Sequence, residues 1–291
     1  MAWWRRREPA LTEGQRAALK ALVAEVKFEL IPMRSAVEKA DALPPRSTVT
    51  VTASPTHGIE STFDLAEALA ARGHDVVPHL SAHMICDRAH LGELLARARA
   101  AGFHRVFVVG GDATEHGLFP DALALLRAMD ELGHPFDEIG VAAYPDGHVA
   151  IADDVLLRAL KDKQPMVHYM TTQMCFEPAK VASWVMRMRR EGITLPVHLG
   201  TPGVAELTKL VAIAARIGVG DSARYLKKNR KMVGALMKPG SFGPDAFLRS
   251  LAPSLADDRA GVEALHVFTF NQVEATAAWQ QRMLESLGAA P

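Results

Sequence analysis

Cysteine is scarce in this 291-residue chain: there are two, Cys86 and Cys175, in different predicted segments and outside any CxxC or other ligand spacing. A disulfide scaffold and a thiolate zinc site are thereby set aside. Free thiols point to a reducing compartment, with the cytoplasm as the expected location. A surplus of one charge is missing too. The 33 basic residues balance 33 acidic ones, so nothing global favours nucleic acid or an anionic membrane, and a compact small molecule is the expected partner. No segment is a long uncharged apolar span. The opening Met1-Ala2-Trp3-Trp4-Arg5-Arg6-Arg7 has a basic cluster but lacks the apolar stretch of a secretory signal, and it reads as a frayed terminus or a partner contact. A GxGxxG turn is also absent, so a dinucleotide would have no Rossmann unit to sit on.

What is present is a regular alternation. With 49% hydrophobic and 23% charged residues, the chain can bury a sizeable core. Apolar runs read as strands over Lys27–Pro32, Ser47–Pro55, Asp75–Leu80, His104–Val109, Gly140–Pro145, Val167–Gln173, Leu195–Gly200 and Leu265–Phe270. Between them, helical spacing marks Glu13–Val26, Ile59–Arg72, Asp87–Ala101, Asp121–Leu132, Leu156–Lys163, Trp184–Arg190, Val204–Ile217 and Gln272–Leu287, several closed by a following glycine. The rhythm breaks over Asp221–Asp258, a Lys- and Gly-rich stretch expected to hold two or three helices, Ser222–Asn229 among them. It reads as a lid, an oligomer contact or a plain packed extension.

Eight strands alternating with helices predict an α/β fold, a parallel (β/α)8 TIM barrel, with a doubly wound open sheet as the alternative. The expected organisation is one domain over 1–291, with 1–26 as an N-terminal helical extension and 221–258 as a helical insertion before the last strand.

In a barrel, function collects at the carboxyl ends of the strands. There fall Glu29, Thr52, His79, Asp112, Tyr144, Gln173 and Asn271. The run Val106-Phe107-Val108-Val109-Gly110-Gly111-Asp112 joins a strand buried on both faces to a turn that ends on a carboxylate, and its two glycines would let a flat ligand approach the backbone. Glu29 lies in an otherwise apolar strand. It must either pair, as with a lysine on the barrel rim, or hold a proton for chemistry. His79 and His83 are four apart, but the first falls on a strand end and no carboxylate motif follows, so no metal is expected.

Taken in order, these strand ends resemble the methylenetetrahydrofolate reductase family, from Phe28 to about Glu274. Phe28-Glu29 with Pro32 is similar to the family's F-E-x-x-P, Val51-Thr52 to its V-T, and Pro78-His79-Leu80 to its H-L-T. Gly110-Gly111-Asp112 stands where the family carries R-G-D. Tyr144-Pro145-Asp146-Gly147-His148 resembles Y-P-E-x-H, Thr172-Gln173-Met174-Cys175-Phe176 resembles T-Q-F-F-F, and Phe268-Thr269-Phe270-Asn271 resembles Y-T-L-N.

The resemblance implies reduction of 5,10-methylenetetrahydrofolate to 5-methyltetrahydrofolate with NAD(P)H as hydride donor, through bound FAD. It implies Glu29 as general acid for opening the bridged ring, its neutral form favoured by desolvation. Asp112 would stand beside the pterin and the flavin, and Gln173 would hydrogen-bond the pterin edge. Thr52, His79, Gly110, Gly111, Tyr144 and His148 would contact the flavin, and Lys163, after a one-residue shift in alignment, its phosphates. Two departures stand out: Gly110 removes the motif's arginine, and Met174-Cys175 replace two aromatics.

Alternatives are flavin-free hydride transfer from NAD(P)H to the folate, a folate- or methyl-group-binding protein, and a metal-dependent hydrolase or lyase on the same barrel using His79, His83, His148 or His198 with Asp112. The 221–258 insertion would serve a homo-oligomer.

Overall fold

The computed structural model of the chain describes residues 10–111, 113, 117–216 and 241–288. Its centre is a closed barrel of parallel strands. These are β1 (Val26–Leu30), β2 (Thr48–Val51), β3 (Asp75–Ser81), β4 (Arg105–Val109), β5 (Glu138–Ala143), β6 (Tyr169–Thr172), β7 (Val197–Pro202) and, closing the ring between β7 and β1, β10 (Val262–Phe268). A short antiparallel ribbon, β8 (Ala205–Glu206) with β9 (Ser241–Phe242), lies outside the ring. Among the described residues no helix is long and apolar enough to cross a membrane.

Each strand sorts its side chains by parity. In β1, Phe28 and Leu30 are buried in the layer between barrel and helices, as are Val49 and Val51 of β2, Val106 and Val108 of β4, and Ile139 and Val141 of β5. The helical faces of Phe63, Leu69, Leu91 and Leu125 meet them there. This apolar layer carries the hydrophobic stabilisation, at roughly 25 cal/mol per Å² buried. The alternate residues turn into the lumen. In the middle Val77, Phe107 and Tyr169 form a small cluster of their own, and Gly140 is obligatory because a Cβ there would lie 2.2 Å from the Tyr169 ring.

The lumen floor is charged. Lys27 Nζ lies 3.6 Å from Glu138 Oε1 and 4.5 Å from the Tyr169 ring centre, while Arg105 pairs with Asp75 and its Nε stands 2.8 Å from Glu138 Oε2. That last contact is off the hydrogen-bond axis, so it counts as an ion pair only. Burial lowers the Lys27 pKa, and Glu138 pulls it back up.

The helices start and stop where local chemistry allows. Thr12 and Gln15 form a capping box on Glu13–Ala24, and Asp87 and Asp121 cap Arg88–Ala101 and Ala122–Leu132 by accepting from His90 N and Ala124 N, each at 2.8 Å. Gly102 and Gly133 end two helices at φ 71° and 69°.

Three helix starts differ from expectation by three residues or more. The helix expected from Trp184 begins at Pro178, whose missing N–H is harmless in the first turn. The one expected from Leu156 begins at Asp153, with Asp153 and Asp154 favoured by the helix dipole. The one expected from Val204 begins at Leu207, because Ala205–Glu206 pairs with Ser241–Phe242. Within the 221–258 stretch, Asp245–Leu255 is helical, whereas Ser222–Asn229 lies outside the described residues.

Candidate active site

Glu29 is the fourth residue of β1 and turns inward, its side chain 14% exposed. Its Oε2 lies 2.9 Å from Nε2 of His266, a lumen-facing residue of β10 that is 3% exposed. The surroundings of Glu29 are mixed, with Thr50 on one side of it in the sheet and Phe268 on the other, and its partner is an imidazole and not a rim lysine. His266 was the residue that strand reading contained without singling out. A histidine two positions before Phe268, on the same face, was the available signal.

The backbone around Glu29 is held as tightly as its side chain. Thr269 Oγ1 donates to Glu29 O at 2.6 Å, Asn271 Oδ1 accepts from Ile31 N at 2.9 Å, and Asn271 Nδ2 donates to Ile31 O at 3.0 Å. To reach there the chain turns through two successive left-handed residues, Phe270 at φ 48° and Asn271 at φ 57°. Left-handed backbone costs an ordinary L-residue roughly 1–2 kcal/mol, less for asparagine.

His79 is inside the barrel, 6% exposed, with its ring 4.7 Å from Phe107 and 6.4 Å from His266. Burial, and then the nearby His266, push its pKa down to about 3, so it is a neutral imidazole at ordinary pH. His198 stacks on Tyr169 at 3.8 Å, and burial, with Lys27, His266 and Arg105, holds it well below the usual histidine range. Thr50 Oγ1, His79 Nε2, Thr171 Oγ1 and His198 Nδ1 are buried without a hydrogen-bond partner among the described residues. Thr50 stands beside Glu29 in the sheet register. A dry, unmatched polar atom costs about 1–3 kcal/mol, so such a lining suits a polar ligand or ordered water.

The turn after β4 separates its two glycines by role. Gly111 has φ 103°, and a Cβ there would lie 2.1 Å from Ser81 Oγ; a Cβ on Gly110 would meet open space. Gly111 is thus required by the backbone and Gly110 is not. Gly110 O accepts from His83 N at 2.9 Å. Asp112 lies outside the described residues. His83 Nε2 stands 3.0 Å from Pro120 O, on a different course from the lumen-facing His79. Among the described residues no group of three or more His, Cys, Asp or Glu is arranged to hold a metal.

The remaining expected residues fall into two places. Thr52 follows β2, its N–H donating to Leu30 O at 3.0 Å, so its main chain is tied to the end of β1. Gln173 follows β6: its N–H donates to Ala143 O at 2.7 Å, and its Oε1 accepts from Met174 N at 2.8 Å, leaving the amide NH2 as the end for a ligand. Tyr144 meets His148 edge-on at 5.2 Å. Tyr144 also lines a cleft with Lys163, Trp184 and Arg187, between the helices Asp153–Lys163 and Pro178–Arg190. There burial lowers the Lys163 pKa, against a smaller upward pull from Asp121. Sequence reading also missed the pair of Asp146 with Lys180, which ties the loop after β5 to the helix after β6; the Asp146 side chain is 2% exposed.

The family model described as methylenetetrahydrofolate reductase matches residues 31–220, more than half of the chain. The chain belongs to this family. Membership supports a folate-related oxidoreductase. Glu29 lies just before the matched stretch, whereas His266 lies well beyond its end. Among solved structures, similarity extends to a candidate phosphonomutase from Burkholderia cenocepacia J2315, at 13% identity and TM-score 0.48, over 95% of this chain and 100% of that one. It extends also to a candidate lyase/mutase from the same organism, at 14% identity and TM-score 0.47, over 94% and 86%. A third is the apo form of a candidate deoxyribose-phosphate aldolase from Toxoplasma gondii ME49, at 9% and 0.47, over 96% and 100%.

Proposed function

We propose that this reductase-family protein converts 5,10-methylenetetrahydrofolate to 5-methyltetrahydrofolate with NAD(P)H, and that Glu29 delivers the proton. The observation that carries the reading is the Glu29–His266 pair at the β1–β10 seam. The bridging carbon of the substrate must first leave one of its two nitrogens, and that nitrogen takes a proton as the C–N bond breaks. The cationic iminium carbon so formed accepts hydride and becomes the methyl group. Counted together, the folate gains one hydride and one proton, and NAD(P)H becomes NAD(P)+.

A carboxyl that hydrogen-bonds a histidine can give up its proton and regain one from the imidazole, because each group offers the other both a donor and an acceptor state. Gln173, with its oxygen held by its own loop, presents an NH2 donor suited to a pterin carbonyl. Asp112 and Gln173 are taken as the folate-binding pair.

FAD is the expected cofactor, and several features fit it. Gly111 keeps the backbone bare at the end of β4, Thr52 holds main-chain groups at the end of β2, and Lys163 is a largely desolvated ammonium suited to phosphate. With Tyr144, His148, His79 and Gly110 they make up the cofactor set. Bound FAD would supply the centre that passes hydride from nicotinamide to folate. A flavin-free reductase is the second reading, favoured by one observation: Gly110 stands where the family motif has arginine, and no described atom lies within 4 Å of a Cβ built on it.

The test is an assay of NADH and NADPH oxidation that depends on methylenetetrahydrofolate, on protein whose flavin absorbance has been recorded. Glu29→Gln should lower kcat by about 10²–10⁴-fold, the usual worth of a general acid, with the folate KM little changed. Near-normal kcat in that variant removes Glu29 from the mechanism.

A further inference from the structure

The ladder between β1 and β10 ends at Glu29 opposite Phe268, yet the seam continues through a side chain. The amide of Asn271 pairs with both the N–H and the C=O of Ile31, as a peptide group in a neighbouring strand would. Beneath it Thr269 holds Glu29 O through both its hydroxyl, at 2.6 Å, and its N–H, at 3.3 Å, and the same hydroxyl accepts from Asn271 N at 3.1 Å. Both residues are buried, Thr269 fully and Asn271 at 4% exposure. The left-handed backbone of Phe270 and Asn271 is what swings the amide round onto Ile31. Strain kept in this way marks a segment whose geometry is over-determined by its surroundings.

We propose that Asn271 is a positioning residue for Glu29: by clamping Ile31 at two points it fixes the strand end from which the carboxyl reaches both His266 and the substrate. The proposal rests on the reading of Glu29 as proton donor. A proton in flight tolerates little error in distance, and a displacement near 1 Å can cost about 10²-fold in rate. Freed at Ile31, the strand end would keep its ladder with β2, where Glu29 and Leu30 pair with Thr50 and Val51, but would lose its outer support. Substrate binding does not run through that support, so the loss should appear in turnover and not in KM.

The experiment compares Asn271→Ala with Gln280→Ala in the full chain. Gln280, on the closing helix, donates to Val23 O at 2.9 Å, ahead of β1 and at the end of the strand opposite Ile31, and serves as a control for loss of a buried amide. Steady-state kinetics, the pH profile of kcat, Tm and hydrogen exchange at the Ile31 amide are read on both. Asn271→Ala should lower kcat roughly 10–100-fold, keep the folate KM within about threefold, move the proton-donor limb of the pH profile, and speed Ile31 exchange. Gln280→Ala should lose a similar amount of Tm with kcat within about twofold and Ile31 exchange unchanged. Should Asn271→Ala not fold, Asn271→Asp takes its place: it keeps an acceptor for Ile31 N and removes the donor to Ile31 O, and kcat should fall at least threefold. The proposal is overturned if the Asn271 variant keeps kcat within twofold while Ile31 exchanges faster, or if Gln280→Ala loses as much kcat at equal Tm. Wild-type protein without reductase activity sinks the reading of Glu29 itself, a result distinct from either of these.

Discussion

At the lumen floor, Lys27, Asp75, Arg105 and Glu138 meet as a set of opposite charges, whereas a few residues further along the same strands Glu29 has one imidazole partner and, beside it, the unmatched hydroxyl of Thr50. Both layers are polar and largely buried, but they are satisfied differently. The floor answers charge with charge, which leaves it little freedom to exchange protons or take a ligand. The seam at Glu29 answers a carboxyl with a group that can hold a proton or release it, and leaves Thr50 beside it, and His79 across from His266, with capacity to spare. A barrel whose lower lumen is locked can hold an upper lumen that is under-satisfied, because the strands run through both.

The sharpest way to break this contrast is Glu29→Gln, whose expected loss of about 10²–10⁴-fold in kcat should come without loss of fold. The opposite outcome is expected at the floor. Glu138→Leu leaves Lys27 and Arg105 facing each other with Asp75 alone between them. Removing one partner of a fully buried pair costs about 3–5 kcal/mol; the Glu138 side chain keeps 29% exposure, so about 2 kcal/mol is expected after solvent screening. Urea unfolding should show that loss, while kcat of the folded fraction stays within about twofold. If Glu138→Leu slows turnover as Glu29→Gln does, floor and seam are one functional network and the division is wrong.

How much of this was legible in the chain follows from where the partners lie. The eight barrel strands could be read because every one carries apolar residues toward the helices, a local pattern within four to seven residues. Glu29 was legible as an exception in such a run. Its partner was not, because His266 stands 237 residues away and meets it only when the barrel closes. The floor was hidden for the same reason: Lys27, Asp75, Arg105 and Glu138 each look like an ordinary charge at a strand start, and only the ring makes them neighbours. Lys163 and Tyr144 do line one cleft, as a shared cofactor would need. His79 could be placed at a strand end but not inside the lumen, since parity alone does not say which face of a doubly buried strand turns inward.

His79 offers a pH-dependent probe of the under-satisfied layer. Its folded pKa of about 3 lies below the usual histidine value near 6.5. The unfolded chain therefore binds more protons between those values, and stability is lost as pH falls from about 6.5 toward 3, by up to about 1.4 kcal/mol per pH unit for one proton. His79→Leu removes that proton from the balance. Unfolding free energies measured between pH 6.5 and 4 should have a slope shallower by about one proton in the variant. An unchanged slope would mean that His79 is charged in the folded protein, and the lumen would then hold a cation above the floor.

The smallest effect expected is on the turn after β4, where two adjacent glycines differ in what they permit. Gly111→Ala meets both the left-handed backbone and the Ser81 hydroxyl, and at least about 2 kcal/mol of stability should go. Gly110→Arg places its Cβ in open space, so stability should stay within about 0.5 kcal/mol. The arginine would restore the cation of the family motif. A single charge-assisted contact to a phosphate, at about 1 kcal/mol, tightens binding about fivefold, read as bound flavin per protein and as Kd for added FAD. A tighter FAD complex in Gly110→Arg would say that the cofactor site is intact in this chain and weakened at one position. A variant that binds no better would say that the vacancy at Gly110 belongs to a mouth shaped for hydride transfer without flavin.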